Sequence, residues 1–159
     1  MIVYDDAEWH EEGEIPEVMP LENAATHIGM YLAWCIGRQL ISDTFAQEYA
    51  AAVAAIRQDH ALARPLVMVA LHEKFTDALL SGQGNAFTAA YYEPDTSFAQ
   101  QYDFYFNDYC NVLDALAAQQ GKVYDTAYEY ENSPANYEAI CRLLDQRYAE
   151  WLRYEGADA

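Results

Sequence analysis

Apolar residues recur at helical spacing along most of the chain. The segment 22–37 is apolar almost all the way round a helix, so other helices must surround it. Near the C-terminus, Ser133 and Pro134 have the residue types of a helix N-cap and a first helical position. The stripe that follows them lies on one helix face: Tyr137, Ile140, Cys141, Leu144, Tyr148 and Trp151. This pattern predicts an all-α or nearly all-α fold with a central helix at 24–40.

Further helix signals lie between these two segments. Ser42 or Asp43 can cap an alanine-rich helix, and Pro65 fits the first turn of the helix after it. Gly82 and Gly84 mark the clearest internal break and are predicted to form a turn. The segment 122–132 alternates loosely and is predicted as an irregular connection. Since no repeat or long linker divides the chain, residues 1–159 are predicted to form one compact domain.

The first 21 residues have a different composition. Pro16, Pro20 and Gly13 disfavour a long helix, and acidic residues cluster between them and the N-terminus. The pattern predicts an extended arm over 1–21, which apolar residues such as Trp9 hold against a helical body over 22–159.

Charge narrows the classes of partner. The chain has 26 acidic and 8 basic residues among 159, a formal net charge of −18. Such a surface repels nucleic acid and anionic membranes and attracts a cationic protein. No apolar run is long enough to span a bilayer and no signal peptide is apparent, so a cytoplasmic location is expected. The three cysteines form no C-x-x-C pair, which favours free thiols in a reducing compartment.

His27 is the most conspicuous polar residue of the predicted central helix. On that helix it shares one face with Tyr31, Trp34 and Arg38. A histidine in such a setting is more often a hydrogen-bonded core residue than a catalytic group. We therefore predict a structural role, in which the His27 side chain ties the helix to the arm. The predicted polar partners in the arm are Asp5, Asp6 and Trp9.

A metal site is the alternative for the same region. Asp5, Asp6, His10 and His27 could supply nitrogen and oxygen ligands to a divalent ion in a small metal-dependent hydrolase. No paired-histidine or cysteine spacing supports that hypothesis, and no nucleophile or phosphate-loop motif is present. The motifs therefore predict no catalytic residue, metal or cofactor, while the question whether His10 and His27 bind a metal stays open.

Tyrosines alternate with carboxylates between residues 91 and 109. Tyrosine provides large contact area at little entropic cost, and carboxylates select a basic partner. The predicted partner-binding residues are Tyr91, Tyr92, Glu93, Asp95, Tyr102, Asp103, Tyr105, Asp108 and Tyr109. Glu11, Glu12 and Glu14 of the arm are predicted to steer that partner towards the surface.

The arm and central helix also carry a family resemblance. The blocks "YDDA", "WH" and "ATHIGM", with the glycine and two prolines between them, resemble the opening of DUF7832, an uncharacterised bacterial family. The similarity continues at "KFTDALLSGQGNAFTAAYY" and at "YEAICRLLDQRYAEW". Some members of that family look like toxin immunity proteins, and the resemblance implies no catalytic residue.

Together these features favour a cytosolic immunity or antitoxin protein as the first hypothesis. The protein would bind a basic toxin domain and occlude its active site. The metal-dependent hydrolase is the second hypothesis, and a scaffolding adaptor of a secretion apparatus is a third. The chemistry of the toxin, the oligomeric state, and the choice between a plugging and an allosteric mode of inhibition stay open.

Overall fold

A computed structural model of the chain describes residues 1–12 and 15–158, with side chains described up to residue 156. The described residues are mostly helical, as the periodicity predicts. A two-stranded antiparallel sheet joins β1 (Val3–Asp6) to β2 (Lys74–Thr76). The helices are α1 (Ala7–Glu11), α2 (Thr26–Gly37), α3 (Asp43–Glu48), α4 (Ala50–Gln58), α5 (Ala63–Met68), α6 (Gly82–Tyr91), α7 (Ser97–Gln101), α8 (Tyr105–Gln119) and α9 (Pro134–Asp158).

Short 3-10 helices complete the fold. They span Leu21–Ala25, His60–Leu62, Asp77–Leu79 and Ala127–Glu129. The last of them lies in the segment predicted to be irregular, where Thr126 and Glu129 form a capping box. No helix among the described residues is long and apolar enough to cross a membrane.

Helix α2 lies at the centre of the core. Every residue from Thr26 to Ile36 is buried, because α4, α5 and α9 pack around it. This arrangement confirms the prediction made from a helix that lacks a broad polar face. The helix is shorter than the predicted 24–40, since a 3-10 helix precedes it and Arg38 ends it.

The N-terminal arm differs from the prediction. Residues 3–11 are not an extended arm but a strand followed by one short helix. In the sheet, Val3 lies opposite Thr76 and Asp6 lies opposite Lys74. The Asp6 side chain then caps α1 by accepting a hydrogen bond from the backbone N–H of Glu8. The sequence does not predict this strand, because its partner β2 lies about seventy residues further along the chain.

Candidate functional site

A buried carboxylate joins the first strand to two helices. Asp5 lies on β1, His10 on α1 and His27 on α2. His10 Nε2 lies 3.0 Å from Asp5 Oδ1, and His27 Nε2 lies 2.9 Å from Asp5 Oδ2. The three side chains come from separate elements and meet only in the folded chain, where Asp5 of β1 contacts His27 near the start of α2.

Two further donors complete the surroundings of the Asp5 carboxylate. The backbone N–H of Asp6 donates to Oδ1 at 2.8 Å, and the Tyr92 hydroxyl donates to Oδ2 at 2.6 Å. Burial alone would raise the pKa of Asp5. The adjacent imidazoles of His27 and His10 outweigh burial and hold the pKa of this carboxyl well below its usual range. Asp5 is therefore an ionised, fully hydrogen-bonded group inside the protein.

Aromatic rings enclose the two imidazoles. The His10 and His27 rings meet edge to face with their centroids 4.6 Å apart. The Phe106 ring packs against both, with centroid distances of 5.7 Å to His10 and 5.0 Å to His27. On its other side, His10 Nδ1 lies 2.8 Å from the Tyr128 hydroxyl. These contacts set the orientation of both imidazoles.

A pocket of about 330 Å³ opens above Asp5 and His10. Its lining residues are Tyr4, Asp5, Trp9, His10, Tyr92, Glu93, Phe104 and Phe106. The Trp9 side chain, on α1, is 55% exposed, which is unusual for a tryptophan. Burial, followed by the nearby charges of Asp5 and Asp95, raises the pKa of Glu93. The pocket thus combines aromatic walls with a carboxylate at its rim and a polar floor.

Asp5 and His10 on the floor of the pocket, together with the buried His27 behind them, have the composition of a metal site. One ligand atom each from Asp5, His10 and His27 can be chosen so that all three lie within 4.8 Å of one another. Within the described part of the chain, this is the one group of three or more such side chains that meets that distance. Asp6, the fourth residue of the predicted hydrolase site, is not part of this group. Its Oδ2 accepts a hydrogen bond of 2.6 Å from Lys74 Nζ instead.

Comparison with known proteins places this site within a family. A family model for a domain of unknown function, DUF7832, matches residues 3–126. The chain belongs to the DUF7832 family. No curated protein and no solved structure matches it. The DUF7832 match includes Asp5, His10, His27 and every residue that lines the pocket, whereas Tyr128 and helix α9 lie beyond it.

In this DUF7832 chain the predicted tyrosine surface is mostly core. The expectation that the segment 91–109 exposes its tyrosines is wrong for four of them, because α6 and α8 turn those rings inwards. The buried members of the predicted set are Tyr91, Tyr92, Tyr105, Tyr109 and Asp108. Because these five side chains are buried, they offer little contact area to a partner, although Tyr92 also lines the pocket described above.

Asp108 is predicted from sequence to contact a partner, but its carboxylate is buried and bonded within the protein. Its carboxylate accepts hydrogen bonds from Arg147 Nε at 2.8 Å and Arg147 Nη2 at 3.0 Å. The Tyr91 hydroxyl donates a third at 2.7 Å. This two-pronged arginine contact links α8 to α9 and satisfies a carboxylate that is only 5% exposed. Asp108 is thus engaged within the protein.

The other predicted contact residues remain accessible. Glu93 and Asp95 are exposed, and Tyr102 and Asp103 are half-buried. Of the predicted steering residues, Glu12 is exposed and Glu11 is half-buried, while Glu14 lies outside the described residues. Three residues of the site, Phe104, Phe106 and Tyr128, are not predicted from the sequence. Phe106 comes three residues before Tyr109, which also packs against His27, but no local signal distinguishes it from an ordinary core residue.

The cysteines of this DUF7832 chain lack the environment of a nucleophile. Burial and the nearby Asp114 raise the pKa of Cys110 to about 11. Burial also raises the pKa of Cys35 and of Cys141.

At pH 8 we expect iodoacetamide to label each thiol roughly tenfold or more slowly in the folded protein than in urea, because little thiolate is present. Mass spectrometry of timed samples measures both rates. Equal rates for Cys110 in both states would contradict this environment.

Proposed function

We propose that this chain is a cytoplasmic immunity or antitoxin protein that binds a basic toxin domain and occludes its active site. The observation that carries the proposal is the excess of negative charge, which ion pairs within the chain do not remove. At least five of the eight basic side chains already contact carboxylates of the same chain. These are Arg38, Arg64, Lys74, Arg142 and Arg147. Most carboxylates are therefore left to face solvent, which favours a basic partner.

The rim of the pocket is the best-supported centre for that contact. Trp9 provides a large apolar surface, and tryptophan is enriched among residues that dominate binding energy. Phe104 and Phe106 extend the aromatic wall, and Glu93 adds a carboxylate. An arginine or lysine side chain of the partner could stack on Trp9 and pair with Glu93. We therefore move the proposed centre from the buried tyrosines to the pocket. Two of the contact residues predicted from sequence, Tyr92 and Glu93, line it.

The proposal is tested by co-expression. We expect the chain to restore growth of cells that produce a basic toxin domain encoded by the neighbouring gene. In a direct binding assay, the on-rate should fall steeply between low and high salt, because long-range attraction is screened. A failure of the parent chain to restore growth or to bind the toxin domain would refute the proposal.

Trp9→Ala tests the location of the contact. We expect this variant to raise the Kd for the toxin domain by roughly 30-fold or more, mainly through faster dissociation. Val123→Ala is the matched control, because Val123 is 92% exposed and does not line the pocket. Surface plasmon resonance gives both rates. Parent-like dissociation of the Trp9 variant would place the contact elsewhere while leaving the immunity function intact.

A further inference from the structure

The geometry of the pocket floor supports a metal site that the proposed partner binding does not require. We propose that Asp5, His10 and His27 bind one divalent transition-metal ion, with Zn²⁺ as the representative ion. The ion would be held by His10 Nε2, His27 Nε2 and the Asp5 carboxylate. It would link β1, α1 and α2 at one point.

Two of the interatomic distances are close to those that a bound ion imposes. Zinc lies about 2.0–2.2 Å from imidazole nitrogen and carboxylate oxygen, so tetrahedral ligand atoms lie about 3.3 Å apart. The observed separations between the carboxylate oxygens and the histidine Nε2 atoms are 3.0 Å and 2.9 Å. One ligand atom of each residue can be chosen so that all three lie within 4.8 Å of one another, so the two imidazoles would move closer together by up to about 1.5 Å to surround one ion. When the ion binds, any proton on each Nε2 is released or moves to Nδ1.

Neighbouring groups already hold two of the three ligands in position. The Tyr92 hydroxyl and the Asp6 N–H donate to Asp5. The Tyr128 hydroxyl contacts His10 Nδ1 and can accept a hydrogen bond from it once Nε2 coordinates a metal. Such outer contacts set the orientation of metal ligands and raise affinity.

The ligand types select the class of ion. Two imidazoles and one carboxylate favour zinc and similar transition metals, whereas Mg²⁺ and Ca²⁺ prefer oxygen ligands. The pocket provides an entry path, because the His10 side chain is 16% exposed and lines the pocket together with Asp5. The same pocket has room for water in the remaining coordination positions. The site therefore has the ligands, the supporting contacts and the access that transition-metal binding needs.

Metal binding would also affect the proposed contact with a partner. Helix α1 carries both His10 and Trp9. An ion that joins His10 to α2 would hold Trp9 in one position at the rim of the pocket. This consequence rests on the proposed function, whereas the metal site itself does not.

The experiment uses the full chain after treatment with EDTA and dialysis. Isothermal titration calorimetry with ZnCl₂ is expected to show one bound ion per chain. Thermal unfolding should show a higher Tm when ZnCl₂ is present. MgCl₂ should produce neither effect. His10→Gln should weaken Zn²⁺ binding by roughly 100-fold or more. His72→Gln is the matched control, because His72 is exposed and lies near Glu8, Glu11 and Glu73 in another pocket. We expect parent-like Zn²⁺ affinity for this control.

A measurement on the parent chain covers the case in which His10→Gln does not fold. The chain has four histidines. We expect Zn²⁺ to shift the Nε2 resonances of two of them, His10 and His27, in ¹⁵N NMR spectra. Absence of Zn²⁺ binding, a shift confined to His60 or His72, or loss of binding in His72→Gln would each overturn the proposed site. None of these results would affect the growth test of the immunity function.

Discussion

Asp5→Asn is expected to lower the free energy of unfolding by about 3–5 kcal/mol, because it leaves buried donors without acceptors. Four donors converge on the two oxygens of this carboxylate: the His10 and His27 imidazoles, the Tyr92 hydroxyl and the Asp6 N–H. An asparagine offers one acceptor oxygen, and its NH₂ group faces donors. The negative charge that attracts both imidazoles is also lost.

Urea unfolding followed by circular dichroism measures this effect, with EDTA present so that metal binding does not contribute. Asp125→Asn makes the same chemical change at an exposed site. It should alter the free energy of unfolding by no more than about 0.5 kcal/mol. A loss below about 1 kcal/mol for Asp5→Asn would mean that the hydrogen-bond network around Asp5 contributes little to the stability of the fold.

Gly84→Ala should lower the free energy of unfolding by about 3 kcal/mol, because helix α6 crosses the backbone just after α2 at very short range. A Cβ atom at position 84 would lie 2.3 Å from the carbonyl oxygen of Leu40. Real Cβ atoms do not approach a backbone oxygen so closely, so α6 would have to move. The shift would disturb Thr88, whose hydroxyl donates to the Gly84 carbonyl and contacts the Tyr31 hydroxyl.

Gly82→Ala is the matched control for this substitution. Gly82 lies in the same first turn of α6, and a Cβ atom there meets nothing within 4 Å. Since alanine favours a helix over glycine, Gly82→Ala should be neutral or stabilise by up to about 1 kcal/mol. Thermal and urea unfolding of both variants provide the comparison. Equal destabilisation by the two substitutions would show that backbone freedom, rather than the contact with Leu40, decides the effect.

At Gly82 and Gly84, one feature can be predicted from the local sequence and another depends on tertiary packing. Their sequence context predicts a turn, and the structure corrects that prediction. Both belong to α6, which Ser81 caps by accepting a hydrogen bond from the Gly84 N–H. The break at this point was recognisable from residue types alone. The close approach of Leu40 was not, because residues 40 and 84 are brought together only by the packing of separate elements.

Burial of the tyrosines shows a similar division. Between residues 91 and 109, tyrosines and carboxylates are so closely mixed that the composition does not indicate which side of a helix faces solvent. Tyr105 is fully buried, and its hydroxyl donates a hydrogen bond of 2.6 Å to the His27 carbonyl. Glu93 stays exposed at the pocket rim. Contacts between distant segments decide which of these side chains face solvent.

The mostly helical class and the central position of α2 follow from sequence alone, because helical periodicity and an apolar circumference are local properties of a segment. The sequence also brought Asp5, His10 and His27 under consideration as residues with suitable chemistry. The convergence of these three residues, and the contact of Asp6 with Lys74, arise only when distant segments pack together. Strand β1 forms by pairing with β2, and alternate residues of a strand point to opposite faces. Asp5 therefore faces α2, and its neighbour Asp6 faces away.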